Sequence, residues 1–173
     1  MNLDKLSIGT PPDEIHVVIE IPEGSSIKYE LHKETGLIFV DRFVHTAMFF
    51  PFNYGFIPHT MSDDGDPLDV MLISEKPVVP GCVILARPIG MLEMEDESGL
   101  DTKILAVPHK KVDPMYAHIE ELADLDEATQ RKIKHFFSNY KTLEDGKWVK
   151  IKNILGREDA SKAIMAAVEA GKK

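Results

Sequence analysis

Four carboxylates fall within seven residues of this chain, in the stretch Ser62-Asp63-Asp64-Gly65-Asp66-Pro67-Leu68-Asp69-Val70. At an effective dielectric near 20, two like charges about 4 Å apart repel by roughly 4 kcal/mol, so such a cluster persists only if solvated, protonated or holding cations. Any fold must therefore bring it to water or to positive charge. Gly65 lets the backbone turn where a Cβ would clash, and Pro67 fixes its own φ near about -65° while pushing Asp66 toward extended geometry. The acids are aimed by the backbone. An oxygen-rich, thiol-free set suits hard divalent ions, Mg²⁺ before Zn²⁺. The competing reading is an acidic surface turn.

With 173 residues, 43% hydrophobic and 28% charged, the sequence is long enough for one globular domain over residues 1–173 with a real core. The single cysteine, Cys82, lies in the apolar run Cys82-Val83-Ile84-Leu85-Ala86. It reads as a small core residue, excludes an intramolecular disulfide and fits a reducing cytoplasm. No basic-then-apolar signal pattern opens the sequence, and no apolar run approaches the roughly 18 residues needed to span a bilayer. A cytoplasmic protein with no membrane partner is expected. A formal charge of -9 without a basic block disfavours nucleic acid as a partner.

Residues 1–14, with Pro11-Pro12, read as an arm with little regular structure. Ile15 to Ile21 is rich in β-branched residues and stops at Pro22, which marks a strand carrying Glu20 near its end. Ile27-Lys28-Tyr29-Glu30-Leu31 alternates, so Lys28 and Glu30 share a face. After the turn Lys33-Glu34-Thr35-Gly36, the run 37–43 returns as its partner and brings Arg42 beside Lys28. The aromatic run 48–58 is too broken by Pro and Gly for a helix and reads as a core-filling loop, with Tyr54 needing a partner for its hydroxyl. Strands are expected over 70–73, 81–90, 90–94, 101–107 and 147–152, with Asp101 and Lys103 on one face. A helix capped by Asp124 or Asp126 runs to about Lys141, and a terminal helix spans 158–170, closed by Gly171. Many short strands followed by helices predict an α+β fold, a small five-stranded OB-like antiparallel barrel with two main helices packed outside.

The acids that this pattern can aim at one site are Glu20, Glu30, Asp64, Asp66, Asp69, Asp96, Glu97 and Asp101. The bases are Lys28, Arg42, Lys103 and Lys141, and the hydroxyls are those of Tyr54 and Tyr140. Carboxylates alone would buffer Ca²⁺, whereas carboxylates beside Lys and Arg suit a phosphate bridged to the protein by Mg²⁺ and gripped by cationic donors. Arg42 could grip phosphate oxygens as a fork, Lys28 and Lys141 as point charges. An EF-hand fails, because a loop starting at Asp64 puts Leu68 fifth and Asp69 sixth. No Gly-rich phosphate loop and no HExxH spacing is present. His109, His118 and His135 read as structural or interfacial. Asp63, Glu93 and Glu95 read as solvent-facing.

Asp64-Gly65-Asp66-Pro67-Leu68-Asp69-Val70 resembles the signature of soluble family I inorganic pyrophosphatases. The resemblance extends through Val17 to Pro22, Ile27-Lys28-Tyr29-Glu30, Phe39-Val40-Asp41-Arg42, Asn53-Tyr54-Gly55, Asp96-Glu97, Asp101-Thr102-Lys103 and Asn139-Tyr140-Lys141, all in family order. It implies Mg-dependent hydrolysis of pyrophosphate to two phosphates, with three or four Mg²⁺ ions, Mn²⁺ or Zn²⁺ as substitutes and Ca²⁺ as an inhibitor. By the family pattern Asp64, Asp69 and Asp101 hold the first metal, Asp69 serves a second, and Asp96 and Asp101 receive metal arriving with substrate. Glu20, Glu30 and Glu97 act through coordinated waters, and Asp66 accepts or orients the proton of the attacking water. Lys28, Arg42, Tyr54, Tyr140 and Lys141 form the phosphate-binding set, supported by Lys103. The length is similar to that of the bacterial type, which implies a homohexamer. Phe50 stands where many bacterial members carry a second tyrosine, and Phe50→Tyr is expected to shift the pH profile modestly. Two other classes remain open on the residues alone, an OB-type module for single-stranded nucleic acid and a non-catalytic Ca²⁺-binding protein.

Overall fold

The computed structural model describes Leu3 and residues 5–172. Met1, Asn2 and Asp4, part of the expected N-terminal arm, lie outside the described residues. The rest of that arm is not wholly irregular, because β1 (Gly9–Thr10) pairs antiparallel with the start of β2 (Glu14–Ile21). The hairpin forms as the alternation predicts, β3 (Ile27–His32) against β4 (Leu37–Phe43), with Lys28 registered opposite Arg42.

The aromatic run departs from expectation. Its last part, Asn53–Phe56, is a buried strand, β5, paired to β2 and to β6 (Asp69–Leu72). Gly55 explains why a segment that reads as a loop can enter the sheet: a Cβ there would lie 1.9 Å from the Val18 carbonyl oxygen, so only glycine permits the close approach. Asn53 anchors the same strand. Its buried amide donates to Ser74 Oγ and the Lys76 carbonyl, both at 2.8 Å, and its oxygen accepts from the backbone N–H groups of Glu23 and Val78.

The two strands expected over 81–90 and 90–94 are one long strand, β7 (Val83–Asp96), whose register slips between Pro88 and Gly90. Pro cannot donate to the ladder, and the strand continues past it through this irregularity. Strand β8 (Gly99–Pro108) returns antiparallel along β7. Cys82 precedes β7 and is exposed, contrary to its expected place in the core: the apolar run around it starts its strand only at Val83.

Ring closure follows from one pairing. The sheet order is β1-β2-β5-β6-β8-β7 followed by a last strand, β9 (Val149–Gly156), and β2 also pairs with β7, so β2, β5, β6, β8 and β7 close into a five-stranded barrel. Four of its contacts are antiparallel and one, β6 with β8, is parallel. Strand β9 (Val149–Gly156) extends the sheet beyond β7 and is longer than its sequence suggests.

Both faces of the barrel strands are buried, which the period of two separates cleanly. Met71, Ile73, Leu105 and Val107 enter a core with Ile133, Phe136 and Phe137 of α1 (Glu127–Asn139). Val70, Leu72, Ile104 and Ala106 enter another with Ala160, Ile164 and Ala167 of α2 (Arg157–Ala170). Asp126 caps α1 by accepting from the Thr129 backbone N–H. Asp124 instead accepts from the N–H groups of Glu120 and Glu121 around a short 3₁₀ turn. The fold is thus the expected OB-like barrel with two helices outside. Among the described residues no helix is long and apolar enough to cross a membrane.

Candidate active site

A cavity of about 480 Å³ opens at one end of the barrel, and every acid, base and tyrosine expected at the site lines it. Tyr54 comes from β5, Asp69 from β6, Glu20 from the end of β2, Asp96 from the end of β7, and Asp101 and Lys103 from β8. Asp64 and Asp66 come from the turn before β6, where the Asp66 N–H donates to Asp64 Oδ1 at 3.0 Å. Gly65 between them has φ +84°, so the turn needs a residue free of Cβ strain. Glu97 sits in the β7–β8 turn. Lys28, Glu30 and Arg42 project from the hairpin, and Tyr140 and Lys141 from the end of α1.

The acids are interleaved with ammonium groups. Lys103, only 5% exposed, ion-pairs with Asp69 and lies 2.5 Å from Asp101. Its burial alone would lower its pKa, but Asp69, Tyr54 and Asp101 outweigh that and hold it well above the usual lysine range. Lys141 lies 2.7 Å from Asp96, and despite the desolvation of that carboxyl the contact keeps Asp96 below the ordinary range. Lys147 binds Glu97 at 2.5 Å and likewise lowers it against its desolvation. On the hairpin, Lys28 touches Glu30 and Asp41, while Arg42 donates to Asp41 at 2.5 Å and through Nε to Glu144 at 3.2 Å.

Two acids are raised by their burial. Burial, reinforced by Asp69 and Glu30, pushes the Glu20 carboxyl up to about 7, even though it accepts from the Leu31 N–H at 2.7 Å. Burial also raises Asp101, in spite of Lys103. Tyr54 and Tyr140 are held protonated by burial, with Asp69 among the charges raising Tyr54. Tyr140 stacks on Phe136 at 5.1 Å, and Phe137 meets both tyrosines, so the ring cluster fixes them in the wall.

Phe50 does not line this cavity. It is buried between Phe136 and Tyr54, and lines a second hollow with Glu23, Met48 and Lys132. Its influence on the larger cavity runs through the Tyr54 ring.

Lys33, Lys147, Ser98 and His59 also line the main cavity without having been expected there. Lys33 sits in the hairpin turn, outside the two-residue period that exposes Lys28 and Glu30. Lys147, read from sequence as the first residue of a strand, lies two residues before β9 begins. His59 holds a strained φ of +59°, its Nε2 2.7 Å from the Leu6 carbonyl oxygen, and nothing in the sequence marks that strain. His109 is structural: it is buried, with Nε2 3.2 Å from Glu14 and Nδ1 accepting from the Lys111 N–H. Asp63 is exposed, and Glu95 pairs with Lys152 at the surface.

Among the described residues no three Asp, Glu, His or Cys side chains converge tightly enough to grip one ion. The donor set nevertheless fits divalent cations. Its oxygens outnumber its ammonium partners, no thiol is present, and the half-buried Glu20 and Asp101 are acids that an added cation would deprotonate.

A barrel end lined by carboxylates, lysines, an arginine and buried phenols defines a protein that handles a compact polyanion together with cations. Sequence and structure comparisons give that class its family. A family-wide profile described as Inorganic pyrophosphatase matches residues 17–172. The inorganic pyrophosphatase of Aquifex pyrophilus is 60% identical over 163 residues, 94% of this chain and 92% of the relative. That of Nanoarchaeum equitans is 55% identical over 160 residues, 92% of this chain and 99% of the relative. The solved structure of the Helicobacter pylori inorganic pyrophosphatase superposes with a TM-score of 0.95 at 45% identity, covering 98% of this chain and all of the other, 100%. The chain belongs to the inorganic pyrophosphatase family, enzymes that depend on divalent metal and hydrolyse pyrophosphate to phosphate. Neither a nucleic-acid module nor a non-catalytic Ca²⁺ buffer is favoured beside that membership.

Proposed function

We propose that this cavity hydrolyses inorganic pyrophosphate to two phosphates, with Asp66 taking the proton of the attacking water. The observation that carries the reading is the meeting of two chemistries in one wall, cations for phosphate oxygens and oxygen donors for metal, around a space of about 480 Å³. Asp64, Asp69, Asp96, Asp101 and Glu97 would hold three to four Mg²⁺ ions, with Mn²⁺ or Zn²⁺ able to substitute and Ca²⁺ inhibiting. When bound, these cations neutralise phosphate charge and supply a water acidic enough to lose a proton near neutral pH.

The chain's own residues do the rest. Lys28, Arg42 and Lys141 exchange their carboxylate partners for phosphate oxygens, and the protonated Tyr54 and Tyr140 donate to the same groups. Asp66, 70% exposed on its turn, is reachable by water. Lys103 keeps Asp69 and Asp101 a fixed distance apart, and Glu20 and Glu30 order the remaining waters. Water attacks one phosphorus, the bridging P–O bond breaks, and the leaving phosphate departs with its charge neutralised by the cationic wall, so no protein acid is required.

The same reading makes the chain one domain of a cytoplasmic homohexamer whose partners are pyrophosphate and phosphate. Phosphate release from pyrophosphate with Mg²⁺, repeated with added Ca²⁺, tests it. Turnover with Mg²⁺ that falls on adding Ca²⁺ supports the assignment. No release with Mg²⁺, Mn²⁺ or Zn²⁺ ends it.

A further inference from the structure

We infer that Lys33 is a positioning residue for pyrophosphate hydrolysis, clipping the hairpin tip to Asp66 so that the two walls of the cavity stay matched at its mouth. This rests on the cavity being the site of pyrophosphate hydrolysis. The hairpin is a sheet of its own, outside the ladder that closes the barrel, yet it carries Lys28 and Arg42. Its placement over the acids is therefore set by side-chain contacts from the barrel. Tyr29 packs its ring on the core, and two polar contacts among the described residues reach β3 and the turn beyond it: Glu20 accepts from the Leu31 N–H at 2.7 Å, and Asp66 Oδ1 lies 2.8 Å from Lys33 Nζ.

The second contact is the informative one. It joins residues 33 positions apart, both side chains are well exposed at 62% and 70%, and Lys33 lines the cavity itself. An ion pair so exposed adds little to stability, which leaves its geometric effect as the consequence that matters. Asp66 is held from the other side by its turn, its N–H bonded to Asp64 Oδ1, so the clip fixes the hairpin relative to the acidic loop and not the reverse. Lys33 also places a positive charge where a polyanion enters.

Lys33→Ala, Lys33→Arg, Asp66→Asn and the Lys33→Ala/Asp66→Asn pair test this with two readouts. With Mg²⁺ and pyrophosphate, Lys33→Ala is expected to raise KM about two- to fivefold, the range that exposed ion pairs set, with kcat held within about twofold, and Lys33→Arg to restore KM. In metal-free protein, amide exchange over residues 33–36 is expected to speed up in Lys33→Ala and in Asp66→Asn, and no further in the pair. Lys33→Ala with unchanged KM and unchanged exchange overturns the inference, as does a failure of Lys33→Arg to restore KM. Asp66→Asn that loosens the tip but keeps its turnover supports the clip and overturns the proton-acceptor reading, so the two ideas fail separately.

Discussion

Asp69 and Lys103 stand opposite one another across the parallel pairing of the barrel, β6 against β8, and their side chains form an ion pair that Asp101 joins from two residues earlier. The ammonium is buried, so removing it leaves two partly buried carboxylates facing each other. Lys103→Met is expected to destabilise the metal-free protein by about 2 kcal/mol, below the roughly 3–5 kcal/mol of a fully buried broken pair because both acids retain some exposure. Calorimetry should show a lower Tm, and Mg²⁺ should raise the variant's Tm more than the parent's, since a divalent cation can replace the missing charge. Equal Tm values without metal would refute this account of Lys103.

Glu20 makes metal-free stability fall as pH rises. Its carboxyl is raised from 4.5 to about 7 in the fold, so between those values the folded state holds a proton that the unfolded chain has lost. The stabilisation is complete below about pH 4.5 and is lost through pH 7, an effect of about 3 kcal/mol at most. Glu20→Gln, which can still accept from Leu31, is expected to flatten the decline. Urea titrations of both proteins from pH 5 to 8, without metal, would reveal parallel curves if burial of Glu20 were unimportant.

Gly55→Ala should be among the most damaging single-methyl changes available. The added carbon meets the Val18 carbonyl oxygen at 1.9 Å and the Ile19 Cα at 2.9 Å, both backbone atoms in the β2 ladder that cannot rotate away. A loss of about 3 kcal/mol or more is expected, with poor soluble yield. A normal melting curve for this variant would show that β2 and β5 can part without cost.

Asp66→Asn keeps the size of the side chain and the backbone bond to Asp64 at an exposed turn, while removing the proposed proton acceptor and the charge that pairs with Lys33. Turnover is expected to drop about 10²- to 10⁴-fold, with the Tm unchanged within a degree or two. Retention of most of the rate would move the proton-acceptor role to another group.

The strands and the site acids were legible because their signals are local. Alternation exposes Lys28 and Glu30 together, and the Asp64-Gly65-Asp66-Pro67 turn declares its own geometry. Long-range events were not. Nothing near Gly55 announces that Val18 will press against it, so the aromatic run reads as a loop although its last residues, Asn53–Phe56, form a strand. The apolar run at Cys82 does not say that its strand begins one residue later, which leaves the thiol outside. Lys33 reaches the cavity from a turn, where no period assigns a face, and Lys147 from the irregular residues before β9, which the sequence reading places inside the strand. Phe50 shows the limit from the other side: a motif position suggests a contact with the site, and the rings of Tyr54 and Phe136 place it one layer back.

The hairpin's independence of the closed barrel has a bearing on how the reaction ends. On the proposed reading, an intact pyrophosphate gripped at one phosphoryl group by Lys28 and Arg42 and at the other through the acidic rim would act as mortar between two pieces of protein that lie in separate sheets. Hydrolysis would then cut that mortar in half, leave each phosphate to one side alone, and so loosen by the chemistry itself the grip that made it possible.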